Sequence, residues 1–223
     1  MAQRNWLILT ALKMEADAIA SELSTSAIIG TNPIPLNVPG LHLQLIGIGA
    51  KLLTPNVFQQ FDRIILAGLG GALDPQLEIG DVVIDSNSAA GVPTGGASAA
   101  KFRLGKIYPS DHLITTVAEK RQLFEQTGCI AVDMESRVVR KNCDAAGIDL
   151  LHIRAVSDRA DEALPDRIST WIDDVGEPKM SRVTTDLMFH PNYLPLLMRL
   201  QTNSRLALRN LRAALRRIVE QDA

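Results

Sequence analysis

Two acidic turns, Asp133-Met134-Glu135 and Ser157-Asp158, punctuate the stretch from Cys129 to Asp161. Each follows an apolar run, Ile130–Val132 in the first case and Leu150–Val156 in the second. A third acid, Glu15, follows the apolar run Trp6–Leu12 in the same way. A carboxylate at such a junction has two uses. It can cap a helix, accepting unpaired N–H groups and matching the positive end of the dipole. It can also move protons or bind hydroxyls as a working acid or base. Taken alone, Glu15 reads as a first-turn acid and Asp158 as a cap.

The elements that must position these acids follow from hydrophobic patterning. Trp6–Leu12 reads as a buried strand and Met14–Leu23 as a helix, which puts Glu15 at their junction. Leu41–Ile48 alternates apolar and polar residues and ends in the turn Gly47-Ile48-Gly49. Arg63–Leu69 reads as another buried strand, running into a glycine loop, Gly68-Leu69-Gly70-Gly71. A dinucleotide fingerprint starting at Gly68 would need glycine where Leu73 stands, so that reading fails. Gly70 and Gly71 either let a ligand approach the backbone closely or make a tight turn at a sheet edge. Leu73-Asp74-Pro75 predicts a turn before the strand Val82–Ile84. The Gly-, Ala-, Ser- and Pro-rich stretch Asp85–Ser110 reads as an active-site loop or a surface excursion.

Asp111–Gln126 reads as a helix with Leu113, Val117 and Leu123 on one face. A second helix runs from the first acidic turn to about Ala146. Leu150–Val156 then delivers Ser157 and Asp158 to the carboxyl end of a buried strand, where open α/β sheets bind ligands. Ala163–Pro195 contains four prolines and predicts irregular structure with one short helix. Leu196–Val219 is the clearest helix. It carries an apolar stripe (Leu208, Leu211, Leu215, Ile218) and an arginine stripe (Arg205, Arg209, Arg212, Arg216). The arginines form either a solvated face or a surface for anionic lipid or an acidic partner.

The 223 residues are 46% hydrophobic and 22% charged, enough apolar material for a substantial core. A formal net charge of -2 argues against a whole-protein nucleic-acid footprint. Cys129 and Cys143 make neither a disulfide framework nor a metal site and read as buried fillers. The N-terminal run lacks a cleavage signal and no stretch is apolar enough to span a bilayer, so a cytoplasmic protein is expected. Strands alternating with helices, without an internal repeat, predict a three-layer α/β/α sandwich around a mixed β-sheet, in one domain over 1–223.

Several motifs together resemble the purine nucleoside phosphorylase and nucleosidase superfamily. They are the Glu15 junction, Gly68-Leu69-Gly70-Gly71 with Leu73-Asp74-Pro75 and Gly80-Asp81, Val132-Asp133-Met134-Glu135-Ser136, and Arg154-Ala155-Val156-Ser157-Asp158. They cover the first three-quarters of the chain in the right order. The resemblance implies a general acid, Asp158, that protonates purine N7, with Ser157 as its supporting neighbour. It implies that Glu135 binds the ribose hydroxyls with Met134 beneath the sugar, and that Glu15 is the base that activates water. Leu69, Gly70 and Gly71 are expected at the substrate, and Leu113 and Ile114 in the base pocket. Cleavage of the N-ribosidic bond would pass through an oxocarbenium-like sugar.

Phosphorylases of the superfamily hold phosphate with an arginine before the glycine loop and a serine within it. Leu66 and Leu69 stand at those positions, which favours water as nucleophile. The short central segment, and the tail through Asn203-Ser204-Arg205 into an arginine-rich helix, resemble the hopanoid-associated phosphorylases, or adenosylhopane nucleosidases. That resemblance implies release of adenine from an adenosine-type nucleoside with a long apolar 5′ group. The superfamily implies a homo-oligomer, the sequence carries no metal-cluster or organic-cofactor signature, and with an apolar lipid substrate a membrane-peripheral contact through the basic helix at about 196–219 is expected. Alternatives are a nucleosidase for methylthioadenosine or adenosylhomocysteine, a phosphorylase of another nucleoside, and a nucleoside-binding module without turnover.

Overall fold

The computed structural model describes residues 4–23, 30–88, 101–165 and 167–221. Strand β1 (Trp6–Thr10) is buried at every position. It lies parallel between β3 (Leu41–Leu45) and β4 (Arg63–Ala72). The short β2 (Ile34–Pro35) runs antiparallel along β3 at one edge. On the other side β4 pairs in parallel with β9 (Asp149–Asp158). Strand β5 (Val82–Asp85) is antiparallel to β9 and parallel to β6 (Phe102–Gly105). The order is therefore β2-β3-β1-β4-β9-β5-β6. Strand β7 (Ile107–Pro109) pairs with β8 (Ala131–Asp133), which closes antiparallel onto the end of β4. The sheet is mixed, as expected.

Both faces of the central strands are covered, which is why β1 reads as an unbroken apolar run rather than an alternating one. Helices α1 (Lys13–Leu23) and α6 (Tyr193–Gln221) cover one face. There Ile8, Ile65, Ile153 and Ala155 of the sheet pack with Ala16 and Ile19 of α1 and Leu211 and Leu215 of α6. On the opposite face Leu7, Leu9, Ile64 and Leu66 meet Val57 and Phe58 of the 3₁₀ segment Pro55–Gln60. Val139 and Cys143 of α3 (Ser136–Ala146) complete that layer. The result is an α/β/α sandwich.

The glycine segment differs from its expected form. Gly68, Gly70 and Gly71 are not a loop but part of the end of β4, all paired with β9, and Gly71 also with β8 on the other side. They are glycines because the neighbouring strands crowd them. A Cβ on Gly68 would lie 2.3 Å from Nη1 of Arg154, and one on Gly70 would lie 3.0 Å from the Val132 carbonyl oxygen.

Of the stretch Asp85–Ser110, Asp85 ends β5, residues 89–100 lie outside those described, and β6 and β7 follow. Helix α2 (Val117–Thr127) starts later than expected. Thr116 caps it by accepting from the Glu119 N–H at 3.2 Å, and Gly128 ends it in the left-handed region at φ 64. Within Ala163–Pro195 there are two helices, α4 (Ile168–Trp171) and α5 (Met180–Phe189), where one short helix was expected. Helix α6 begins at Tyr193 and takes Pro195 into its first turn, where a missing N–H costs nothing. Arg205, Arg209 and Arg216 are exposed on it, whereas Arg212 is half-buried and donates to the Ser21 hydroxyl.

Candidate active site

The carboxyl ends of β1, β4, β8 and β9 converge, and they deliver the three sequence-predicted acids. Glu15, one turn into α1, is 1% exposed and points back at the sheet. Its Oε2 accepts the N–H groups of Ala11 (3.0 Å) and Leu12 (2.9 Å), and its Oε1 accepts that of Leu69 (2.7 Å). It therefore does what a first-turn acid does at the start of α1 and also reaches across to β4. Burial raises its pKa to about 7, against the opposing pull of Arg154 and of the N–H groups of Leu69 and Leu12.

The turn after β8 divides its two acids between separate tasks. Asp133 is the cap. Its Oδ2 accepts the Ser136 N–H at 3.1 Å and its Oδ1 the Ser136 hydroxyl at 2.5 Å, which fixes the start of α3. Glu135 faces the other way. Its Oε1 accepts the Gly49 N–H at 2.9 Å and its Oε2 pairs with Nη2 of Arg154 at 2.9 Å. Gly49 can offer that N–H because it holds φ 66, within a turn where Gly47 and Ala50 also have positive φ.

Arg154 is the hub. It is 1% exposed, its Nη2 is shared by Asp133 and Glu135, and its Nη1 donates to the Leu69 carbonyl at 3.4 Å. Its Nε donates to Nε2 of His152 at 3.2 Å, and that imidazole stands between Asp133 (3.2 Å) and Asp85 (3.7 Å). Arg140 binds the same oxygen of Asp85, Oδ2, at 2.5 Å. Burial opposes charge throughout this cluster, but Arg154 and His152 hold Asp133 below the ordinary carboxylate range. Glu135 is driven the other way, raised by burial and by Asp133 more than Arg154 and the Gly49 N–H lower it. Burial alone would lower Arg154, yet Asp133, Glu135 and Glu15 more than offset that, so it stays charged. A separate cleft of about 410 Å³, lined by Asp85, Ser136, Arg137, Arg140 and Lys141 among others, contains none of Glu15, Glu135 or Asp158.

Asp158 ends β9 beyond a bulge. Gly70 pairs with Val156 but Gly71 pairs with Asp158, so Ser157 is the extra residue. Bulges re-aim side chains at strand ends, and here the Asp158 carboxylate lies along Gly71, where a Cβ would meet its Oδ2 at 3.0 Å. The Ser157 hydroxyl donates to Oδ1 at 2.9 Å. On Oδ2 sits Nζ of Lys120, 2.5 Å away and fully buried. Three residues of β4 separate Gly68, beside Glu15 and Arg154, from Gly71, beside Asp158, a span of about 10 Å at strand rise.

The structure thus brings Glu15, Glu135, Ser157, Asp158, Leu69, Gly70 and Gly71 to one sheet end. Ile114 is 3% exposed in a cluster with Leu73, Cys129 and Val132, the residue that pairs with Gly71, and Leu113 is half-buried beside it. Met134 is half-buried between the two acids of its turn. Asp133 and Gly49 were noted in sequence only as turn residues, and His152 and above all Lys120 were not singled out. The signal for Lys120 was present: it falls three residues after Val117 and four before Phe124, on the apolar stripe of α2.

An α/β sandwich with carboxylates converging at its strand ends is an architecture that binds small ligands. Residues 89–188 match the family model described as the Phosphorylase superfamily. No curated protein matches the chain. The fold is shared with solved nucleosidases. The 5′-methylthioadenosine/S-adenosyl homocysteine nucleosidase of Helicobacter pylori superposes with a TM-score of 0.64 at 16% identity, over 99% of this chain and 100% of that one. Futalosine hydrolase of the same organism gives 0.62 at 17% identity, over 98% of each chain. The Campylobacter jejuni 5′-methylthioadenosine/S-adenosyl homocysteine nucleosidase gives 0.58 at 18% identity, over 95% and 98%.

Proposed function

We propose that the chain is an N-ribosyl hydrolase that releases adenine from an adenosine-type nucleoside. The observation that carries this reading is the row of three buried acids, Glu15, Glu135 and Asp158, along the glycine end of β4. Glu15, with its pKa raised to about 7, is half ionised near neutrality and suited to take a proton from water. Glu135, anchored by Arg154 and Gly49, is placed to accept ribose hydroxyls. Asp158, at the far end of the same strand, is placed to give a proton to the leaving base. Proton transfer at each end is typically worth about 10² to 10⁴ in rate. Water is favoured over phosphate because Leu66 is fully buried in the core and Leu69 offers Glu15 only its backbone N–H. Neither side chain can donate to an anion.

Incubation with adenosine analogues bearing small or long apolar 5′ groups, with and without phosphate, tests this. Free adenine formed without phosphate is expected, with preference for an apolar 5′ group as in adenosylhopane. A ribose 1-phosphate product would make the protein a phosphorylase, and an Asp158→Asn variant of unchanged rate would remove the acid from its role. A nucleosidase for methylthioadenosine is the reading to adopt if only small 5′ thioethers are cleaved.

The membrane contact belongs to the same reading but moves along the chain. Much of α6 beyond Ala207 is spent on the core, whereas Met188, Phe189, Leu194 and Met198 are exposed around the corner between α5 and α6. Among the described residues no helix is long and apolar enough to cross a membrane. Exposed methionine and phenylalanine on helices that also carry the exposed Arg182 and Arg205 suit a surface contact with anionic lipid, or the subunit contact of a homo-oligomer. Co-sedimentation with anionic vesicles, lost on Phe189→Ser and Met198→Ser, is expected. Loss of oligomer without loss of vesicle binding would assign the patch to assembly.

A further inference from the structure

A buried lysine needs a reason, because removing an ammonium from water is costly unless every N–H finds a partner. Lys120 is 0% exposed, and its three donors are all used. Nζ lies 2.5 Å from Oδ2 of Asp158, 2.7 Å from the Arg159 carbonyl and 2.9 Å from the Glu162 carbonyl. Its one anionic partner is the carboxylate assigned above to proton donation. The Ser157 hydroxyl occupies the other oxygen of that carboxylate, which still leaves lone pairs for a base.

We propose that Lys120 positions Asp158 and supplies its proton, so that the acid of the site is the Lys120–Asp158 pair rather than a lone carboxyl. The inference rests on the N-ribosyl reading. In the resting pair the lysine carries three protons and the carboxylate none. Moving one proton from Nζ to the carboxylate gives an amine and a carboxylic acid at the same net charge. As the glycosidic bond breaks, its electron pair goes to the base, the carboxyl O–H bond breaks and the purine N7–H bond forms. The pair is left one charge more negative, opposite a sugar that has become one charge more positive. Water adds to the sugar and gives its proton to Glu15, and solvent returns one proton to the lysine and takes one from Glu15. The other charged groups facing this corner already have partners. Arg159 pairs with Glu78 and Asp161, and Glu162 accepts the Arg159 N–H and approaches Arg199.

Lys120→Arg and Lys120→Met separate positioning from proton supply. Each is assayed on an adenosine-type nucleoside and on the same ribose carrying nitrophenolate, which leaves without a proton. Arginine keeps the cation but cannot give up its proton at these pH values. Lys120→Arg is therefore expected to fold with a melting temperature lowered by the larger head group in a fully buried site, and to lose on the order of 10² to 10⁴ in kcat on the nucleoside. Its nitrophenyl rate should stay within a few-fold and its KM should be little changed. Lys120→Met should show the same split, with a lower melting temperature. Wild-type kcat in Lys120→Arg would overturn the inference, and so would equal loss on both substrates. A wild-type protein that cleaves neither substrate would overturn the N-ribosyl reading instead.

Discussion

Glu15 and Asp158 close the two ends of one site, yet the protein treats their charges in different ways. Glu15 receives three backbone N–H groups and no cation in direct contact, so burial dominates and its proton affinity rises. Asp158 receives a hydroxyl and an ammonium, so its charge has a partner inside the protein. Between them Arg154 compensates Asp133 and Glu135 together. Two carboxylates of one sheet end are thus held in different surroundings, backbone N–H groups at one and a hydroxyl with a buried cation at the other.

The largest effect is expected from removing the hub. Arg154→Met leaves Asp133 and Glu135 buried beside each other without their cation, and breaking such a pair typically costs about 3–5 kcal/mol. The melting temperature should fall most at neutral and alkaline pH and recover partly in mild acid, where Glu135 and Glu15 take up protons. A loss that is flat with pH would show that packing, not charge compensation, is what Arg154 provides.

The next effect belongs to Glu15, and Glu135, also raised, adds to it in the same direction, so the comparison with Glu15→Gln isolates the first. The folded pKa of Glu15, about 7, lies above the ordinary 4.5, so the folded protein holds its proton where an unfolded chain releases it. That contribution is complete below pH 4.5 and is lost as the pH rises through about 7, a difference of about 3 kcal/mol. Activity should run the opposite way, since the base must be ionised, and kcat/KM should climb through the same pH range. Melting curves from pH 5 to 8 for the wild type and Glu15→Gln check the first half. Equal slopes in the two proteins would mean that Glu15 does not carry the effect. Asp133, held low by Arg154 and His152, contributes only at more acid pH and does not confuse this window.

The difference between the two ends also explains what could be seen in sequence. Each acid stands two or three residues beyond an apolar run, and an apolar run reads as a strand, so the strand ends followed by Glu15, Glu135 and Asp158 were legible. So were α1, α3 and α6, whose caps and stripes are local. What was not legible depends on partners far away in the chain. Gly68-Leu69-Gly70-Gly71 looks like a loop in one dimension. Only the arrival of Arg154 and Val132 against it shows that the glycines keep a strand thin. Lys120 looks like a solvated helix residue until the loop 159–162 folds over it. The two acids of the Asp133-Met134-Glu135 turn also needed α3 and Arg154 in place before cap and binding residue could be told apart.

The smallest effects come from the glycines, and they read the two ends against each other. Gly68→Ala drives a methyl toward Nη1 of Arg154 at 2.3 Å and Oε1 of Glu15 at 2.8 Å, atoms fixed by several hydrogen bonds. Overpacking there should cost about 1–3 kcal/mol. It should also disturb the base, shifting the pH at which kcat/KM reaches half its maximum. Gly71→Ala meets Oδ2 of Asp158 at 3.0 Å, Cγ1 of Val132 at 3.2 Å and Oδ1 of Asp158 at 3.5 Å, contacts that a few tenths of an ångström would relieve. Its stability should change by less than about 1 kcal/mol. That small push falls on the oxygen that Lys120 holds, so kcat on nucleosides should fall while the nitrophenyl riboside is spared. If Gly71→Ala instead shifts the pH profile and Gly68→Ala produces the leaving-group split, the two ends have been assigned the wrong way round.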